Sequence, residues 1–467
     1  HNLYLISLSF LTPYFETALS SENGAYRTSL TDTILVWISS KREVDIQLIG
    51  TKVFSREGEP LADIPVLSVS LSAPALMVGR LAPKSLSING MHISLIRDVN
   101  GDLRLDLSNG KNTNETIIAN LLKEVFQVSD AGSSFGALRQ VNILNASVTL
   151  DDRKTDNFWD APSANIFLKR EQNGLLGEAD LNLNIGSRVA KLRIRGVIDS
   201  INKDVSLKVR FSNIVASSVS VVFKNFDFLK HISIPIEGTA DTKVSYNGLM
   251  EPINFEIKLN QGLFKITNPQ ELEFYLKHGR LIGSYDHAKS QVNIYNSELN
   301  LGPRGKISLA NFDKNSVPLR SLKATANYLV KTKKLEIGKV LADLGGPILN
   351  LHGVFQEIAE QTSFEIGLNL EKMQLGAVND YWPNNFEPLT RAWVDQNISV
   401  GSVAVTRANL SGRWSRLTGT KIDSLIGDMA FENMTVDYFA PMPKATSANG
   451  RMKFDKRMLE IKNWLGS

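Results

Sequence analysis

Apolar and polar residues alternate along most of this chain, the pattern of strands with one dry face and one wet face. In Ala179 to Ile185 the apolar set Ala179, Leu181, Leu183 and Ile185 is separated by Asp180, Asn182 and Asn184. Past a turn at Gly186-Ser187 the chain reads Ala190, Leu192 and Ile194 against Lys191, Arg193 and Arg195. After Asn202-Lys203-Asp204 it reads Val205, Leu207, Val209 and Phe211 against Ser206, Lys208 and Arg210. Three successive strands of one parity predict an antiparallel meander with one aliphatic and aromatic face. The same alternation returns in Ile253, Phe255, Ile257 and Leu259, in Val292 and Ile294, in Ile307 and Leu309, and in Phe364, Ile366, Leu368 and Leu370.

Shorter strands of this kind fill the first hundred residues: Val44, Ile46 and Leu48, then Leu67, Val69 and Leu71, then Ile93 and Leu95. Asn100-Gly101 predicts a hairpin turn into Leu103, Leu105 and Leu107. The period changes between Glu115 and Val128, where Ile117, Ile118, Leu121, Leu122, Val125 and Phe126 share one helical face. A Ser/Gly-rich stretch from Ser129 to Gly136 then breaks the chain. A second helical interruption runs from about Leu375 to Gln396, with Pro388 suited to a first helical turn. The chain therefore divides into a β module over 1–110, an amphipathic helix and connector over 111–137, and a long β domain over 138–467 with a helical insertion near 375–396. About thirty strands at roughly 4.8 Å would give a sheet on the order of 100–140 Å across. There is no fixed sequence period of the kind that marks solenoids or propellers.

Composition narrows the function classes. Lys plus Arg number 52 against 48 Asp plus Glu, a net of +4, which is too weak a field to gather nucleic acid or anionic substrate. The absence of cysteine removes disulfides, thiolate nucleophiles and Cys-ligated metal sites. Leu3 to Leu11 is too short and too interrupted to span a bilayer, which takes roughly 20 residues. Since the sequence opens on His1, an N-terminal signal or anchor is expected to lie upstream of it.

Candidate sites read as ordinary structure. Gly132-Ser133-Ser134-Phe135-Gly136 has the letters of a hydrolase elbow but follows a helix and precedes a strand, the reverse of the required context. Asp98-Val99-Asn100-Gly101-Asp102 starts like a calcium loop, yet its glycine stands fourth rather than sixth. Six scattered histidines include no helical i, i+4 zinc pair. Asp151-Asp152 would point to opposite faces of an extended segment and reads as a solvated turn. Lys191, Arg193, Arg195, Lys208 and Arg210 read mainly as the wet side of a sheet, with phosphate-headgroup contact the alternative. No catalytic residue, cofactor or metal is expected, and the chain does not read as an enzyme.

One resemblance adds to this. Ile46 to Val53, Gly58-Glu59-Pro60-Leu61-Ala62-Asp63-Ile64-Pro65, Leu76-Met77-Val78-Gly79-Arg80-Leu81 and Arg97 to Leu103 follow in the order of the start of AsmA-like proteins. Tyr381-Trp382-Pro383, Arg391-Ala392-Trp393-Val394 and Gly401, then Pro441-Met442-Pro443, Gly450 to Phe454 and Leu459 to Ile461, resemble the central domain of unknown function in YhdP-type members. The likeness implies a periplasmic body held at the bacterial inner membrane by an anchor, and phospholipid transfer toward the outer membrane. The expected fold is mainly all-β: an elongated, curved antiparallel sheet forming an apolar groove, with a few short amphipathic helices. The expected acyl-chain contacts are Leu181, Leu183, Ile185, Leu192, Ile194, Leu207, Val209, Phe211, Ile253, Phe255, Ile257, Leu259, Phe364, Ile366 and Leu368. Further partners would be outer-membrane or periplasmic proteins, not nucleic acid. A non-catalytic scaffold for outer-membrane biogenesis is the alternative, and an ordinary sandwich core is the competing reading of the apolar face.

Overall fold

The fold is described from a computed structural model. It describes residues 3–20, 24, 26–38, 43–56, 58, 60–72, 75, 77–79, 82–100, 103–106, 137–154, 156–185, 188–222, 229–247, 249–266, 272–309, 312, 315–358, 361–384, 387–415, 419–439 and 441–465. The helix expected over Glu115 to Val128 and the Gly132 to Gly136 stretch lie outside these residues, as do the turns at Gly101 and at Gly186-Ser187.

The chain is mainly β with a few short helices, and its large antiparallel sheet does not close into a barrel. It forms two compact units, His1–Ile214 with Asp241–Met250, and Val215–Ala240 with Glu251–Ser467.

In the first unit the strands are β1 (Leu3–Ser7), β2 (Tyr26–Ser29), β3 (Asp32–Ile38), β4 (Glu43–Ser55), β5 (Pro60–Leu71), β6 (Pro83–Asn89), β7 (His92–Arg97), β8 (Leu103–Asp106), β9 (Gln140–Asp152), β10 (Asn157–Glu171), β11 (Gly174–Ile185), β12 (Arg188–Asp199) and β13 (Asp204–Val215). Antiparallel pairing runs β1–β3–β4–β5–β6, with β2 also on β4. β7 and β8 form the expected hairpin, Arg97 opposite Leu103, and the Asn100 N–H donates to the Asp98 carboxylate at 2.9 Å. β9 runs parallel to both β6 and β7, then continues antiparallel through β10, β11, β12 and β13.

Helix α1 (Thr12–Ala18) seals the core of this unit. Phe15 and Leu19 are buried among Leu48, Leu67, Val69, Ile93, Val141, Ala146 and Ala164. The helix is tied down by hydrogen bonds as well as by burial. The Leu30 N–H donates to the Glu16 carboxylate at 2.8 Å, and the Thr28 hydroxyl donates to the Leu19 carbonyl at 2.9 Å.

Helix α2 (Ala216–Val222) opens the second unit, and β14 (Pro235–Ser245) passes from the second unit into the first after Ala240. The main ladder consists of β15 (Ile253–Leu259), β18 (His278–Asp286), β19 (Gln291–Asn300), β22 (Ser321–Leu329), β23 (Lys334–Asp343), β24 (Ile348–Ile358), β25 (Gln361–Gln374), β26 (Ile398–Ser415), β27 (Gly419–Val436), β28 (Ala445–Asp455) and β29 (Leu459–Leu465). Each pairs antiparallel with the next in that order. A separate four-stranded sheet is built from β16 (Gly262–Ile266), β17 (Leu272–Leu276), β20 (Lys306–Leu309) and β21 (Ser316–Pro318). Between β25 and β26 a 3-10 helix, Leu375–Asp380, leads to α3 (Pro388–Asn397), which starts on its proline.

Candidate functional site

Residues opposite one another across antiparallel strands share a face, so the register assembles the alternating apolar positions into transverse rungs. In the second unit one rung runs Phe255, Gly283, Ile294, Ala326, Ile337, Gly353, Ile366, Leu410, Leu425 over nine strands. The next runs Ile257, Leu281, Ser297, Ala324, Val340, Leu351, Leu368, Ala408, Gly427, Phe454, Leu459 over eleven. A rung on one side starts at Ile253 and passes through Phe355 and Phe364, and one on the other starts at Leu259 and ends at Ile461. Bulges in β19, β23 and β27 shift the pairing but return the apolar side chains to the same face. Apart from the hydroxyls of Ser297, Thr406, Tyr285 and Tyr328, the four rungs carry no polar side chain.

The other face is charged and paired. Arg280 meets Glu256 at 2.9 Å, Lys323 meets Glu298 at 3.0 Å, and Arg413 meets Asp423 at 3.1 Å. The Arg413 hydrogen bond holds the Asp423 carboxyl below its ordinary range.

The rungs differ in what covers them. The outer rung at Leu259 is packed: Leu259, Leu299, Ala342 and Leu349 sit against Phe264, Phe274 and Leu276 of the small sheet. Further along it, Leu370, Met429 and Met452 sit against Leu375 and Val378 of the 3-10 helix, Trp382 just after it, and Val394 of α3. Among the described residues the middle two rungs join none of the three packed cores, although Ser297 and Ala408 are buried at 7% each. Phe255, Ile257, Ile294, Ile337, Ile366, Leu368 and Leu410 are all half-buried and pack into no core formed by the described residues.

Glycines help to keep this face low. Phe255 pairs with Gly283, Phe364 with Gly412 and Phe454 with Gly427. A Cβ built on Gly283 would lie 2.7 Å from the tip of the Phe255 ring, and one on Gly412 2.6 Å from that of Phe364. Each ring thus leans across the neighbouring strand over a residue without a side chain, an arrangement that spares the strand the packing lost at glycine.

In the first unit the expected meander is present, with Leu181, Leu192 and Phe211 on one rung, Ala179, Ile194 and Val209 on the next, and Gly177, Gly196 and Leu207 on the third. Leu181, Leu192, Ile194, Val209 and Phe211 are half-buried and Leu207 is 37% exposed, whereas Leu183 and Ile185 are closed off at 8% each. Leu181 also packs on the margin of the α1 core. Of the basic residues opposite, Arg193 pairs with Asp180 at 2.5 Å and Arg195 with Glu178 at 3.2 Å, so these two guanidiniums are occupied. The fifteen expected contact residues therefore fall into two sets, Leu181 to Phe211 in the first unit and Ile253 to Leu368 in the second. Among the second set Phe364 is buried, at 8% exposure, and Leu259 is capped by the small sheet. The sequence reading missed the contributions of β22, β23 and β26, where small residues and bulges interrupt the alternation.

Asp151 and Asp152 point apart as expected, but Asp152 is no solvated turn residue. It closes β9 at 7% exposure and lies 3.4 Å from Arg97, because the parallel β7–β9 pairing brings that guanidinium alongside. Among the described residues no three His, Cys, Asp or Glu side chains gather as a metal-binding group, and no helix is long and apolar enough to cross a membrane. Comparison with protein-family models, curated proteins and solved structures gives no match for this chain.

Proposed function

We propose that the chain is a non-catalytic carrier or holder of phospholipid, an AsmA-like protein of the bacterial periplasm whose apolar rungs take up acyl chains. One observation carries the reading: the two middle rungs of the second unit run over nine and eleven strands with Ser297 their one polar side chain, and join none of the packed cores of the described residues. Soluble proteins seldom leave a contiguous apolar surface of that extent without a use for it. Moving an acyl chain from bilayer to water costs about 0.8 kcal/mol per methylene, on the order of 10 kcal/mol per chain, and contact with such a face removes much of that cost. Successive strands offer chemically similar side chains, so a tail meets no deep trap along a rung. The charged face opposite would remain in water. The resemblance noted in the sequence is the ground for the periplasmic setting and for transfer between inner and outer membranes.

The test is lipid occupancy. Native mass spectrometry of the purified protein should reveal co-purifying phospholipid, and an anthroyloxy fatty acid should bind with enhanced fluorescence. Ile366→Asp or Leu368→Asp in the second unit, and Ile194→Asp or Leu207→Asp in the first, should weaken probe binding tenfold or more while far-ultraviolet circular dichroism is retained. Folded protein free of lipid, with probe binding indifferent to all four substitutions, would favour a scaffold that presents its sheet to other proteins.

A further inference from the structure

The small sheet of the second unit has two unlike faces. Its inner side, Phe274 and Leu276 with Phe264 and Ile307, packs on the outer rung of the ladder. Pairing of β17 with β20 sets Phe274 opposite Ile307 and Glu273 opposite Ser308. Tyr275 and Lys306 alternate with the inner Phe274 and Ile307 and so lie on the outer side; beyond them the Lys277 N–H donates to the Asn300 carbonyl at 2.9 Å, and Arg304 precedes Lys306 in the loop. These four side chains, with Leu301, Pro303 and Gly305, line a cleft of about 470 Å³, within the roughly 300–1,000 Å³ usual for small-molecule sites.

Two features bear on what this cleft could hold. On the sheets some basic residues are spent on carboxylates, as at Arg193, Arg280 and Arg413, and others such as Lys208 and Arg210 form no ion pair with a described residue but line no cleft with one another. Among the described residues no carboxylate pairs with Lys277, Arg304 or Lys306, and the one acid nearby on that face, Glu273, is taken by Lys265 at 3.2 Å. The loop that carries Arg304 is also held in shape. The Gly305 N–H donates to the Gly302 carbonyl at 2.9 Å, the Leu319 N–H to the Gly305 carbonyl at 3.0 Å, and the Arg320 Nε–H to the Pro303 carbonyl at 3.2 Å. Gly302 stands at φ +88°, and the Lys277 side chain crosses the space its Cβ would fill. Basic side chains that line one cleft with no carboxylate partner among the described residues offer an anion charge-assisted hydrogen bonds from several sides.

The geometry points to a binding site for a phosphate mono- or diester at Lys277, Arg304 and Lys306, with Tyr275 as a further hydroxyl donor. Arg304 supplies the planar fork suited to two phosphate oxygens, and the lysines supply point charge. The site stands on the far side of the small sheet from the apolar rungs, so it does not depend on their carrying lipid.

The phosphate could belong to a lipid headgroup or to a soluble ester, and one set of measurements separates them. Calorimetric titration with inorganic phosphate at constant ionic strength, and flotation with vesicles of phosphatidylglycerol or of phosphatidylcholine, are compared for the wild type and for Lys277→Gln/Arg304→Gln/Lys306→Gln. Saturable phosphate binding that the triple variant weakens tenfold or more supports the site as a taker of soluble phosphate. Flotation with phosphatidylglycerol alone, lost in the same variant, supports it as a headgroup site. No saturable binding in either arm, or equal binding by the variant, overturns the proposal. The anthroyloxy probe of the apolar face should bind the triple variant normally, and Ile366→Asp should leave phosphate binding unchanged, so failure of one reading is distinct from failure of the other.

Discussion

The region around Phe15 and the region around Ile366 are built from the same strand pattern and use it in opposite ways. In the first, a seven-residue helix lies on the sheet and drives Phe15 to 1% exposure, Leu48 to none and Val69 to 1%. In the second, equally apolar side chains stand half-buried, and no described helix or sheet packs them into a core. The difference is one of cover, not of residue type. A sheet face becomes a core when a second layer removes the remaining surface from water, and stays accessible when none does. The largest expected effect measures that difference directly. Phe15→Ala should cost about 3–5 kcal/mol, since it opens a cavity in a closed core. Ile366→Ala, which trims a side chain already partly in water, should cost about 1–2 kcal/mol. Urea unfolding of the two variants gives both values, and similar losses would mean that Ile366 is as sealed as Phe15.

That distinction is where legibility in the sequence ended. Alternation located β11, β12, β13, β15 and β25 and set their faces correctly, because a period of two is a local property. Pro388 likewise marked the start of α3. Cover is not local. Phe15 is contributed from before the first long strands, and nothing in the spacing of Leu48 or Val69 says that a helix will lie over them. The parallel pairing of β9 with β6 and β7 is equally silent, since residues more than fifty positions apart carry no shared motif, and it is this pairing that buries Asp152 against Arg97. The middle rungs were only partly visible. Ala324, Ala326 and Gly353 are too small to advertise a strand face, and the bulges in β19 and β23 break the count of two while preserving the face in space.

Glycine on the open face offers a second way to sharpen the comparison. At Gly283 an added methyl would run into both the Asn293 carbonyl and the Phe255 ring. Gly283→Ala should therefore cost about 1–3 kcal/mol, as overpacking does. It should also lift Phe255 away from the strand and alter acyl-probe affinity. Gly346 has nothing within 4 Å of its Cβ position and no left-handed backbone requirement, so Gly346→Ala should be neutral or stabilising by about 0.4–1 kcal/mol. If Gly283→Ala proved as mild as Gly346→Ala, the leaning ring would not be a constraint on the face.

The smallest effect concerns the turn between β12 and β13, where the meander of the first unit reverses. The Asp199 carboxylate accepts the backbone N–H of Asn202 at 3.0 Å and of Ile201 at 2.9 Å, and these bonds hold its pKa below the ordinary carboxylate range. A carboxyl whose folded pKa is depressed contributes its stability above the unfolded pKa of about 3.9 and loses it as pH falls through the lower folded value. Asp199→Ala should thus lower the urea midpoint slightly at pH 7, and the gap from the wild type should narrow below about pH 4. Asp199→Asn retains an oxygen acceptor for both N–H groups, so it should keep the turn and lack the pH dependence. A gap that stayed constant from pH 7 to pH 3 would show that the turn is held by its backbone alone, with the carboxylate a bystander to the meander that presents Leu192 and Ile194.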